Sequence, residues 1–136
     1  MSSNHEISQA ILETGGATVG LLAGGRRDLL GPRDGDVYCV GGAMDGRGHN
    51  IPELHLPVAT LDDDTIDIAI SYVEDHVKGT PGYWAAAGFW HEPGTEIIVV
   101  DAIDAIEGRE LALSVARERG ERAIFHLLTG ETIEVR

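Results

Sequence analysis

At 136 residues with 43% apolar side chains, the chain is long enough to bury a core of its own and too apolar to be disordered. Its single cysteine, Cys39, excludes an internal disulfide framework and a cysteine-built zinc site. Ten basic against 23 acidic side chains give a net charge of −13, which argues against direct nucleic-acid binding, because that requires clustered cations to displace counterions.

The charge is uneven. Residues 1–60 carry four basic and seven acidic side chains, whereas residues 61–136 carry six and sixteen, so the second half is the acidic one. Such an excess keeps a small protein dispersed, and it also suits a face that meets a basic partner. No apolar run reaches membrane-spanning length. Met1–Glu13 lacks a basic segment followed by an apolar one. A cytoplasmic protein with no membrane association is the expectation.

In chain order, residues 1–14 are polar and mixed and read as a flexible lead-in to a single domain over 15–136. Gly15-Gly16-Ala17-Thr18-Val19 reads as a turn into a short strand. From Gly24 to Asp36 glycine, proline and charge dominate, as in an exposed loop, with Leu29-Leu30 dipping back to the core. Val37-Tyr38-Cys39-Val40 is a short β-type run ended by Gly41-Gly42, and the glycine-rich residues 41–50 read as a mobile loop. Ile51–Val58 alternates apolar and polar residues, and Pro52 and Pro57 confine it to an edge strand or extended segment.

The spacing of Ile66, Ala69, Ile70, Val73 and Val77 predicts a helix over about 64–78. Asp62, Asp63 and Asp64 suit its N-terminus, and Lys78, Gly79 and Pro81 suit its end. Tyr83, Trp84, Phe89 and Trp90 then gather four of the seven aromatic residues into eight positions. His91-Glu92-Pro93-Gly94-Thr95 reads as a turn, and the β-branched run Glu96–Asp101 as a central strand, so the two segments form a hairpin. A second helix is predicted over about 107–119, with Leu111, Ala112, Val115 and Ala116 inward. Asp104 and Glu107 lie near its start, and Arg117 and Arg119 suit the dipole at its end. Ala123–Leu128 and Thr132–Val135 read as a last hairpin around Thr129-Gly130-Glu131. The whole predicts an α+β fold: a mixed, mainly antiparallel sheet of five to six strands with two helices on one face.

Gly15-Gly16-Ala17-Thr18-Val19 followed by Val37-Tyr38-Cys39-Val40-Gly41-Gly42 resembles the opening of a family of small uncharacterised proteins from actinobacterial genomes, phages and plasmids. Trp90, the strand ending in Asp101, the spacing of Ala112 and Ala116, and the ending Ala123-Ile124-Phe125-His126-Leu127-Leu128-Thr129-Gly130-Glu131 are similar to the family's closing pattern. The resemblance spans about residues 15–136. Tyr38 and Cys39 depart from a usual Gly-Tyr, and His126 from a common Asp. The resemblance carries over no catalytic residues. It implies an accessory protein of a phage or mobile element acting inside a bacterium.

No phosphate-binding glycine motif occurs: Gly15-Gly16 lacks the third glycine, and no Gly-Lys-Ser/Thr is present. The six histidines, His5, His49, His55, His76, His91 and His126, form no His-x-x-x-His pair. His49 and His55, with Asp45 nearby, are the nearest approach to a metal set, though their spacing is not diagnostic, and no cofactor or metal is expected. Cys39 in an apolar strand reads as a small core residue rather than a nucleophile.

The aromatic cluster is the best interaction candidate. On one strand Trp84 and Trp90 face the same side and Phe89 the other. Much of such a cluster packs into a core, but a partly exposed Trp beside His91 would anchor a protein partner, with Arg47 and His49 of the 41–50 loop adjoining. The leading expectation is a non-enzymatic acidic binding protein of phage or mobile-element type that uses Trp84, Trp90, His91, Arg47 and His49. Two others stand beside it. One is a small ligand- or metal-binding enzyme using the His49/His55/His91 region. The other is a structural or self-assembling, virion-associated protein whose last strand, Thr132–Val135, pairs across a two-fold axis.

Overall fold

The computed structural model describes residues 2–22, 26–44, 47–77 and 84–135. Gly24, Gly25, Asp45, Tyr83 and the predicted helix stop at Lys78, Gly79 and Pro81 lie outside these residues.

Residues 1–14 are not a loose lead-in. Asn4–Thr14 forms helix α1, started by a reciprocal cap in which the Ser3 hydroxyl accepts the Glu6 N–H (3.1 Å) and the Ser3 N–H donates to the Glu6 carboxylate (3.0 Å). Gly15, at φ 85°, closes it with an N–H bond to the Ile11 carbonyl. Ile7 and Ile11, one turn apart, are fully buried. That burial is what holds so short a helix in place.

The strands are β1 (Gly16–Leu22), β2 (Arg26–Leu29), β3 (Val37–Val40), β4 (Leu54–Pro57), β5 (Trp84–His91), β6 (Ile97–Glu107), β7 (Ala123–His126) and β8 (Glu131–Glu134). Helices α2 (Asp63–His76) and α3 (Arg109–Arg119) complete the α-helices among the described residues. The α+β class therefore holds, with eight strands and three helices rather than the predicted five or six and two. The sheet runs β2-β1-β5-β6-β3-β7-β8 and is antiparallel at every described pairing, not mixed. β6 is its hub. One edge pairs with β5; the other is shared, β4 taking Ile97–Val100 and β3 taking Asp104–Glu107.

Two sequence readings change here. Part of the segment read as an exposed loop is edge strand β2. Arg27 reaches from it to α2, where its guanidinium meets Asp67 (2.5 Å), Glu74 (2.6 Å) and the Ser71 hydroxyl (3.2 Å). The second change is that β6 runs on past Asp101, so Asp104 lies inside a strand instead of at a helix start. Its carboxylate is buried and paired with Arg119 of α3 at 2.6 Å, while the same guanidinium donates to the Gly41 carbonyl (3.1 Å).

All three helices cover one face. Val100 and Ala102 of β6 pack with Ile66, Ala69, Ile70 and Val73 of α2 and with Ile7 and Ile11 of α1. Ile106, on the same side of β6, packs with Ala112, Leu113, Val115 and Ala116 of α3. The inner stripe of α2 is the predicted Ile66, Ala69, Ile70 and Val73, with Val77 just past its end; in α3, Leu113 takes the place given to Leu111, which is exposed. A third cluster, Val37, Cys39, Ala86, Ile103, Ala105 and Leu127, lies on the opposite face. That face is strongly bent. Thr18 of β1 and Cys39 of β3 touch (Oγ1 to Sγ, 3.7 Å) although β5 and β6 lie between them, three strand spacings or roughly 14 Å in a flat sheet.

Candidate functional site

The concave, helix-free face is where the chain displays its indoles. Along β5, Trp84, Ala86, Gly88 and Trp90 point to this side, opposite Ala105, Ile103, Asp101 and Val99 of β6. Phe89, pointing the other way, is buried among the helices. Trp84 is 42% and Trp90 53% exposed, and six strand residues set them roughly 20 Å apart. Between them much of the face is closed: Ala86 is fully buried and Ile103 and Ala105 nearly so, packed with Val37, Cys39 and Leu127, so the indoles stand at its two ends. Gly88 carries no side chain, Thr18 lies beside it on β1, and Gly20 is roofed by Leu30, whose side chain a Cβ at Gly20 would meet at 3.1 Å. Gly16, opposite Trp90, lies so close to β5 that a Cβ would meet the Phe89 carbonyl oxygen at 2.9 Å.

Beside Trp90 lies a group of charges that the sequence reading missed. His55 of β4 flanks Val99 on the side away from Trp90. The Glu53 carboxylate, just before β4, accepts from His55 at 3.0 Å, and that contact holds it below its ordinary range. Asp101 is half-buried on the same face and hydrogen-bonded to Glu53. Burial first, then the bond to Glu53 and that carboxylate's charge, push Asp101 up to about 6. Asp101 therefore keeps its proton up to about 6, and a cation placed against the two carboxyls would favour full ionisation. The signal was a lone carboxylate in the run Ile97–Ile103, which nothing else in the strand explains.

The other predicted site residues are placed differently. His91 pairs with Ile98 and so faces the helix side, away from the Trp90 indole; its Nε2 lies 2.7 Å from the Thr95 carbonyl oxygen of its own turn. His55 and His91 thus sit on opposite faces of the sheet and cannot form one site. Arg47 and His49 are exposed on the segment joining β3 to β4. Ala43 and Ile51 anchor that segment in the helix-side core, across the sheet from the indoles. Among the described residues no three His, Cys, Asp or Glu side chains gather to hold a metal ion, and Asp45 lies outside those residues. Cys39 is buried, and burial pushes its thiol up to about 11, so it stays protonated and unreactive. No helix among the described residues is long and apolar enough to cross a membrane.

Comparisons with family models, curated proteins and solved structures gave no match, so the reading of this face rests on the chain's own geometry.

Proposed function

We propose that this chain is an acidic protein-binding module that takes a basic segment of a protein partner at the Trp90 end of the bent sheet face. In the setting the resemblance implies, it is an accessory protein of a phage or mobile element, and the partner is a host or phage protein. The observation that carries the reading is two indoles, half-exposed on one side of β5, with the Glu53–Asp101 carboxyl pair beside one of them. Indoles are favoured interface anchors. A lysine or arginine side chain seated against Trp90 meets the ring face by a cation–π contact and meets the carboxyl pair by charge. The net charge of −13 steers such a partner in from a distance. Because seating a cation requires an ionised Asp101, binding weakens as pH falls through about 6.

One observation weighs against the histidine-site alternative. The opposed faces of His55 and His91 leave no shared histidine site.

The test is capture from bacterial lysate by the immobilised full chain at low and high salt, read by mass spectrometry. The expected result is one dominant basic protein, released at high salt and not held by W84A/W90A or by E53Q/D101N. Retention of that protein by both double variants, or capture indifferent to salt, overturns the proposal.

A further inference from the structure

A second constellation lies at the β3–β7 end of the sheet, on the helix side and away from the indoles. His126, the last residue of β7, is buried, with its ring stacked on Tyr38 of β3 (centroids 4.2 Å apart, planes 5° apart). Its Nε2 lies 2.8 Å from a carboxylate oxygen of Asp36, the residue before β3. The Tyr38 phenol lies against the same carboxylate, so Asp36 is fixed from two sides. The other ring nitrogen, Nδ1, lies 3.1 Å from the hydroxyl of Thr129, which is exposed in the turn between β7 and β8.

The proton order follows from what each group can do. A carboxylate only accepts, so Nε2 carries the imidazole proton and donates it to Asp36. Nδ1 is then the acceptor, and the Thr129 hydroxyl donates to it. The Glu131 N–H donates to the Thr129 oxygen at 3.3 Å, which leaves one lone pair of that oxygen open. The turn does not need the chain of three. It is already closed by the Gly130 N–H on the His126 carbonyl at 2.8 Å, a bond that uses neither the imidazole nor the hydroxyl. The residue next to Thr129 is Gly130, at φ 73°, with no side chain to cover the hydroxyl.

We infer that Thr129 is an acyl-accepting nucleophile, with His126 as its general base and Asp36 as the residue that positions the imidazole, acting on small activated acyl esters. The Thr129 Oγ1 bonds to the acyl carbon and its proton passes to His126 Nδ1. The ester C–O bond breaks, and the departing alcohol takes that proton. A water molecule, giving a proton to the freed imidazole, then attacks the threonyl ester. The acid leaves, and the proton returns to Thr129. One ester and one water become one acid and one alcohol. The arrangement is a hydroxyl, a base within hydrogen-bond reach and a third group orienting the base, which is the common geometry of covalent acyl transfer. It stands independently of the binding role proposed for the sheet face.

The test uses p-nitrophenyl acetate with the intact full-length chain. Release of p-nitrophenol is followed by absorbance, and the acetylated residue is located by fragmentation mass spectrometry. The expected result is an acetyl group on Thr129, turnover lost in T129A and retained in T129S, and turnover at least about 100-fold lower in D36N with its pH profile displaced. Thr129 is exposed and Asp36 is 54% exposed, so these variants leave the core intact, and a thermal melt of each confirms it. Acetylation confined to other residues, T129A turning over like the parent, or D36N unchanged in rate and pH profile overturns the inference.

Discussion

Replacing Arg119 by alanine separates two accounts of the last turn of α3. If Arg119 only complements the helix dipole, as its place beside Arg117 suggests, then R119A and R117A each cost about 0.3–1 kcal/mol. The structure gives the two arginines different work. Arg117 is exposed, whereas Arg119 is 12% exposed and pairs at 2.6 Å with the 3% exposed Asp104. Removing one partner of a buried pair strands the other charge, at roughly 3–5 kcal/mol. That is a large share of the roughly 5–15 kcal/mol that holds a domain of this kind together. At about 2.1 cal/mol/K per residue, the unfolding entropy of 136 residues is about 0.29 kcal/mol/K, so a loss of about 3 kcal/mol lowers Tm by about 10 °C. Urea denaturation of wild type, R119A, R117A and the apolar double variant D104L/R119M measures it. R119A moves the midpoint far more than R117A, with m unchanged, and the double variant recovers most of the loss because no charge is left stranded. If R119A and R117A agree within about 0.5 kcal/mol, the buried pair does not contribute as described.

Three further outcomes follow from the same geometry. S3A, which removes the cap of α1, costs about 0.5–2 kcal/mol by urea denaturation; no change would mean that α1 does not depend on its cap. D101N is stabilised relative to wild type at pH 8 but not at pH 4. The folded-state value of Asp101 is raised to about 6, so the folded chain holds that proton where the unfolded chain has already released it, and wild-type stability falls as pH rises between the two. The difference is about 1 kcal/mol once the half-exposed setting is allowed for, and a pH-independent gap between the two urea midpoints would refute it. Cys39 resists a water-soluble disulfide reagent in the native chain and reacts on unfolding; fast native reaction would contradict its burial.

Much of this architecture is local and was open to a reader of the sequence. The stripe Ile66, Ala69, Ile70, Val73 marks α2 by period alone, and Trp84, Phe89 and Trp90 divide between the faces of β5 by parity. Helix α1 was legible too, through the Ser3-x-x-Glu6 cap and the Ile7/Ile11 pair, but its polar composition resembled that of a lead-in. The rest depends on partners far along the chain. Asp104 is tolerable inside a strand only because Arg119 arrives from the next helix. Arg26-Arg27-Asp28 reads as loop because its charge belongs to an outer edge, where Arg27 meets α2. Glu53 and Asp101 become a pair only through the β4–β6 register, and His126 meets Asp36 only because β3 lies beside β7. Periodicity does not report contacts of that span.

The shared edges of β6 also bear on how the chain is made. Val19 pairs with Ala87, Leu54 with Val100 and Cys39 with Ala105, so β1, β3 and β4 all leave the ribosome well before the strands that receive them. The β5–β6 hairpin is the one central pairing that closes locally, and it forms quickly once both strands are out. Until then Ile7, Ile11 and Val19 have nowhere to be buried, and the nascent first half waits as a sticky, sheet-poor polymer. Birth order therefore makes the late hairpin the template on which the earlier half is laid down. Slowing translation between residues 60 and 107 would lengthen the wait of the unpaired half rather than help it fold.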